Sequence, residues 1–180
     1  MHKRAFGAAA LTSVAALTLA ACGGTGSTGG ADMAGGSQTC NPTCKAGFVC
    51  KGTLCDLDPT GQWVITVTTG RVNEKKADGT TWDIPGGLPD PLVCLTLNGT
   101  RRCTATKADT LMPTWNEPFS SATATALQVG FKVEFLDEDI GTSEAICPAA
   151  TQAVSTEDFQ NGTWTSQCAT GSFSATLATR

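Results

Sequence analysis

The run Leu127-Gln128-Val129-Gly130-Phe131-Lys132-Val133-Glu134-Phe135-Leu136-Asp137-Glu138-Asp139 decides the fold class. Apolar residues occupy alternate positions at Leu127, Val129, Phe131, Val133 and Phe135. Gln128, Lys132 and Glu134 fall between them. A period of two sends alternate side chains to opposite faces of a strand. The spacing predicts a long half-buried strand that starts at Leu127 and ends in a short acidic run.

Upstream, Val93-Cys94-Leu95-Thr96-Leu97 and Thr100-Arg101-Arg102-Cys103 flank Asn98-Gly99. Asn-Gly between two strand-like runs predicts a two-residue type I′ hairpin. Centred there, Leu97 faces Thr100 and Cys94 faces Cys103. That last pair is non-hydrogen-bonded, where side chains come closest, so a cross-strand disulfide fits. The register sets Arg102 on the face of Val93, Leu95 and Leu97, which a core would claim. Either Arg102 reaches out at a sheet edge or the register is not the simple one. Cys147 and Cys168 are left to pair with each other. Trp63, Ile65 and Val67 alternate with Val64, Thr66 and Thr68, and Phe173 to Leu177 reads as a weaker closing strand. No stretch after residue 60 shows a good helical period. Short strands separated by Gly, Pro, Asn and Asp turns predict an all-β sandwich over residues 60–180. Trp63, Trp82, Trp115 and Trp164 are expected in its core.

The first residues read as an address. Met1-His2-Lys3-Arg4 is basic, Ala5 to Ala16 is apolar, and small residues follow, which is the pattern of an export signal over 1–21. Leu19-Ala20-Ala21-Cys22 resembles the bacterial lipoprotein lipobox. That resemblance implies cleavage before Cys22 and its lipidation. The apolar stretch is shorter than the ~20 residues of a membrane span. Residues 22–39 are rich in Gly, Ser and Thr and read as a tether. Gly23, in place of Asp, would permit sorting to the outer membrane by the rule of enteric lipoproteins. The expected location is therefore the bacterial cell envelope, on the protein's own lipid anchor.

Without Cys22, eight of the nine cysteines remain, an even number suited to disulfides in an oxidising compartment. Cys40, Cys44, Cys50 and Cys55 crowd into residues 40–56, too little chain for a core, so disulfides must hold it. We take the first with the third and the second with the fourth. The rival, a four-cysteine zinc knuckle, is disfavoured because exported thiols oxidise.

The composition closes several routes. The chain has 180 residues, 12 Lys+Arg and 16 Asp+Glu, a net charge of −4, which argues against a nucleic-acid partner. Its single His, His2, leaves with the signal. Ser-His-Asp and Cys-His catalysis and His-ligated zinc are then excluded. There is no GxSxG and no phosphate-binding P-loop.

The acids carry the remaining signal. Asp83 and Asp90 bracket one loop, and Asp137-Glu138-Asp139 with Glu144 form another. Such carboxylates can converge on calcium, which takes six to eight oxygens and tolerates irregular geometry. Unbridged, they would raise one another's pKa. A solvated acidic surface is the simpler account of the Asp137–Asp139 run alone.

Three segments in order resemble C2 domains: Asp90-Pro91-Leu92-Val93, Thr110 to Phe119 around Trp115-Asn116-Glu117, and Val133 to Asp139. The resemblance implies an eight-stranded antiparallel sandwich with calcium-binding loops at one end. It implies Asp83, Asp90, Asp137 and Asp139 as ligands of one or two calcium ions, with Glu144 near the last ligand position. Met112 replaces the Asn common in the middle loop. It further implies calcium bridging to anionic phospholipid, with Ile84, Leu88 and Ile140 as apolar loop residues able to enter the interface. Arg101, Arg102 and Lys107 echo basic strands that touch phosphoinositides in some members, although solvated cations account for them as well. An envelope protein partner held by a calcium-independent or calcium-stiffened adaptor is the alternative. A carboxylate hydrolase using Asp137 or Asp139 is a third reading, disfavoured because the chain has no room for a substrate cleft. No enzymatic activity is expected.

Overall fold

The structure is a computed structural model and describes residues 40–83 and 87–180. The expected signal peptide, the lipidation candidate Cys22, the tether up to residue 39, and Ile84 lie outside the described residues. In chain order the elements are β1 (Phe48–Lys51), β2 (Leu54–Leu57), β3 (Gln62–Val72), β4 (Pro91–Leu97), β5 (Thr100–Cys103) and β6 (Thr114–Pro118). They continue with β7 (Ala122–Thr123), α1 (Ala124–Val129), β8 (Phe131–Asp139), β9 (Thr142–Gln152), α2 (Thr156–Asn161), β10 (Thr163–Gln167) and β11 (Gly171–Thr179).

Eight of these strands make an antiparallel sandwich. One sheet runs β10-β11-β3-β6, with the two-residue β7 also on β3, and the other runs β5-β4-β8-β9. Alternation explains the core. Trp63, Ile65 and Val67 of β3 are buried, as are Phe131, Val133 and Phe135 of β8 and Phe173, Ala175 and Leu177 of β11. Phe135 meets Phe173 across the sheets at 5.6 Å, edge to face, an arrangement aromatic pairs favour. All four tryptophans are buried.

The β4–β5 hairpin adopts the simple register, with Cys94 opposite Cys103 and Leu95 opposite Arg102. Asn98 and Gly99 both have positive φ, as a type I′ turn requires. The Arg102 conflict is resolved at the edge. β5 is a mostly exposed edge strand, and the Arg102 guanidinium lies 5.9 Å from the Phe119 ring centre. Cys94–Cys103 and Cys147–Cys168 are disulfides.

Two expectations fail. The strand does not begin at Leu127: residues Ala124–Val129 form a helix, and β8 starts at Phe131. Thr123 caps it by accepting the Ala126 N–H, and Gly130 ends it at φ 119. The helix buries Ala124 and Leu127, three positions apart and so on one helical face, while Val129 is exposed. The alternation of Leu127 and Val129 with β8 is thus accidental. The expectation of no helix after residue 60 fails again at α2. There Ser155 and Asp158 form a reciprocal capping box, a signal present in the sequence.

The four-cysteine segment is not a separate body. It belongs to the same compact unit as the sandwich. Cys40–Cys50 and Cys44–Cys55 are disulfides, and β1–β2 packs on the start of β3. Phe48 stands edge-on to Trp63 at 6.2 Å. Gly47 sits at φ +82, where a Cβ would lie 2.2 Å from the Trp63 ring, so only glycine allows this approach. Lys45 Nζ donates to the Phe159 and Gln160 carbonyls, at the C-terminal end of α2, where a cation is favoured.

Candidate metal centre

The acidic end is built by the alternation of β8. After Phe131, Val133 and Phe135, the next inward position is Asp137, which is fully buried at 0% exposure. Its Oδ1 accepts the Asp90 N–H at 2.5 Å. Its Oδ2 is buried and has no hydrogen-bond partner. Asp137 stands opposite Pro91 in the β4–β8 ladder, which sets Asp90 beside it.

Three loops are stitched together around this pair. Asp90 Oδ1 accepts the Asp109 N–H at 2.7 Å, and the Thr110 N–H donates to the Pro89 carbonyl. The Glu138 N–H donates to the Asp90 carbonyl. Asp83 packs against Gly87, where a Cβ would fall 2.7 Å from the Asp83 Cβ. One oxygen each of Asp83, Asp90 and Asp109 lie within 4.8 Å of one another, and so do oxygens of Asp83, Asp137 and Asp139. Ligand oxygens about 2.4 Å from a calcium ion are separated by at most twice that distance. Asp83 belongs to both groups, so the two positions adjoin. Asp83, Asp90, Asp109 and Asp139 line a cavity of about 700 Å³, with Asp137 buried behind it.

The electrostatics are those of crowded like charges. A hydrogen bond from the Asp83 carboxyl to Asp139 pushes Asp83 up to about 6, helped by burial and the neighbouring carboxylates. Burial also raises Asp137, against the Asp90 N–H that lowers it, with Asp139, Asp90 and Glu144 adding to the rise. A buried carboxylate oxygen with no partner is expensive. A hard divalent cation would satisfy it and relieve the like-charge crowding. The all-carboxylate donor set fits calcium.

Asp83, Asp90, Asp137 and Asp139 are therefore brought together. Glu144 lines the same cavity, but its carboxylate is ion-paired with Lys76 and belongs to neither group of three. Of the loop residues, Leu88 is 38% exposed and Ile140 wholly exposed, with Ile140 at the rim of the cavity. Asp109 and Lys76 escape the sequence reading. Asp109 sits alone in an irregular loop at φ 51, and Lys76 is one of 12 Lys and Arg residues with no local pattern to set it apart. Asp137 alone among the site's acids follows from strand alternation, one further step of the β8 period.

The C2 domain family model matches residues 62–166. The chain belongs to the C2 domain family, in which binding of calcium and of phospholipid membranes is common. A C2 domain of plant Extended Synaptotagmin 1 is similar over 68% of this chain and 96% of its own, at 20% identity and TM-score 0.49. A structure of Extended-Synaptotagmin 2, with its SMP domain and two C2 domains, matches 68% of this chain and 27% of its own, at 16% identity and TM-score 0.50. Human GIVD cytosolic phospholipase A2, in complex with an inhibitor and terbium chloride, matches 66% of this chain at 19% identity and TM-score 0.46. This chain covers only 17% of that phospholipase chain. No curated protein matches in sequence. No helix among the described residues is long and apolar enough to cross a membrane.

Proposed function

We propose that this is an exported lipoprotein of the cell envelope, anchored through Cys22, whose C2 domain binds one or two calcium ions and through them anionic phospholipid. The observation that carries the calcium reading is the buried, unpartnered Asp137 Oδ2 within a ring of aspartates. Asp83, Asp90, Asp109, Asp137 and Asp139 would hold the calcium, which would supply the positive charge that reverses the local field toward an anionic phosphate. Ile140 and Leu88, exposed at this end, enter the interface, each contributing up to ~1.5–3 kcal/mol if fully removed from water. These carboxylates act as ligands, and the protein is no enzyme.

The path of the chain bears on orientation. The four-cysteine hairpin docks on Trp63 at the start of β3, whereas the acidic loops adjoin its end, where Trp82 Nε1 donates to the Asn73 carbonyl. Eleven strand residues separate these ends by roughly 30 Å. The described chain thus enters the domain at the end remote from its acidic loops, and a tether rich in Gly, Ser and Thr leaves those loops able to meet either the anchoring bilayer or an opposing surface.

The test is calorimetric calcium titration of the chain, then pelleting with vesicles of phosphatidylserine or of phosphatidylcholine alone. Binding of calcium, and calcium-dependent pelleting with the anionic vesicles only, is the expected result. Asp137→Asn with Asp139→Asn abolishes both, and Ile140→Ser weakens pelleting while sparing calcium. Absence of heat up to ~10 mM, above the weak extracellular range, overturns the calcium reading and leaves a calcium-independent adaptor for an envelope protein.

A further inference from the structure

We propose that Lys76 is a built-in counter-cation of the acidic end, which holds Glu144 out of the coordination sphere and leaves the metal to five aspartates. The inference rests on the calcium reading above and adds what sets the ligand count. Lys76 Nζ donates to Glu144 Oε2. The lysine side chain is 20% exposed and the glutamate side chain 44%, so water screens the pair on the glutamate side. Its backbone is fixed by a local turn. The Lys76 N–H donates to the Thr80 carbonyl, the Gly79 N–H donates back to the Lys76 carbonyl, and Asp78 accepts from Thr80. The ammonium also stands 5.6 Å from the centre of the Trp82 ring, itself tied to Asn73. Lys76 is therefore positioned before any ligand arrives.

Lys76, Trp82 and Glu144 line both the acidic cavity and an adjoining one of about 290 Å³. They form the wall between the two. Glu144 faces Asp137 in the β8–β9 ladder and lines the aspartates' cavity. Calcium affinity follows the number of charged ligands. A lysine that keeps one carboxylate occupied holds the affinity down and weakens the like-charge crowding in the metal-free protein. Glu138, the remaining acid of this loop, is engaged by the Thr106 hydroxyl.

A double-mutant cycle on the full chain tests this, read by calcium calorimetry and by thermal unfolding in chelator. Glu144→Gln alone is expected to leave calcium affinity within about twofold. Lys76→Met frees Glu144 and is expected to tighten binding about tenfold, the scale on which ligand charge tunes such sites. Lys76→Met with Glu144→Gln removes a neutral pair and returns affinity to the starting value. In chelator, Lys76→Met lowers the unfolding midpoint and the double variant restores it. The proposal is overturned if Glu144→Gln weakens calcium as much as Asp139→Asn does, because Glu144 is then a ligand. It is also overturned if Lys76→Met changes neither affinity nor the midpoint in chelator. Should no variant bind calcium while the midpoints follow the expected order, the calcium reading fails and the counter-cation role stands.

Discussion

Two buried side-chain polar atoms among the described residues lack a hydrogen-bond partner, and they stand at opposite ends of the sandwich. Trp63 Nε1 lies under the disulfide hairpin, beside Phe48 and Phe159. Asp137 Oδ2 lies among carboxylates. The first is a neutral donor whose indole fills an aromatic cluster, and the apolar burial around it outweighs one lost hydrogen bond. The second belongs to a charged group that no apolar neighbour compensates. The same defect accompanies aromatic packing at one end and crowded carboxylates at the other. One end is closed by disulfides, the other by hydrogen bonds between acidic loops.

The largest effect should come from breaking the disulfide end. Phe159 is fully buried and its ring lies 4.8 Å from Trp63. Phe159→Ala should cost about 3–5 kcal/mol in chemical denaturation, with calcium affinity unchanged. A comparable loss of calcium binding would show that the two ends are coupled. At the acidic end the sign reverses. Asp137→Asn keeps an acceptor for the Asp90 N–H and removes a charge, so metal-free stability should rise by about 1–2 kcal/mol. The parent should gain about 2.7 kcal/mol at calcium a hundredfold above its Kd, and the variant should gain nothing.

Acidity sharpens the contrast next. The folded Asp83 carboxyl titrates at about 6, above its ordinary 3.8, chiefly through its hydrogen bond to Asp139. A raised carboxyl favours folding in its protonated form, so this contribution is complete below the unfolded value and is lost as pH rises through about 6. Metal-free protein should lose stability across about pH 4 to 7, and calcium should cancel that slope. Calcium affinity should fall as protons compete below about pH 6. Thermal unfolding and calorimetry across this range check both. The smallest effect belongs to neither end. Arg102→Ala should cost only about 0.5–1 kcal/mol, the value of one exposed cation–π contact over Phe119.

Much of this molecule was legible in the chain. Period-two burial in β3 and β8, the Asn98-Gly99 turn and its cysteine register are local rules, set by side-chain alternation and turn geometry. The acidic end of β8 was readable for the same reason, and the acids before β4 through the resemblance to C2 domains. The alternation misled at Leu127 and Val129, where a Thr123 cap and Gly130 gave the backbone a helical alternative. Local pattern could not decide between two conformations that both bury Leu127.

Order along the chain was enough to specify the strands of the sandwich and the hairpin register, because each follows from spacing within one strand or turn, while the resemblance to C2 domains singled out four of the aspartates. The remaining features needed the folded chain. Folding docked the cysteine hairpin on Trp63 through Gly47, added Asp109 to the aspartates, and turned Glu144 toward Lys76. Those choices join residues from separate loops, and their energies come from Coulomb interactions and steric fit between segments that no periodicity links.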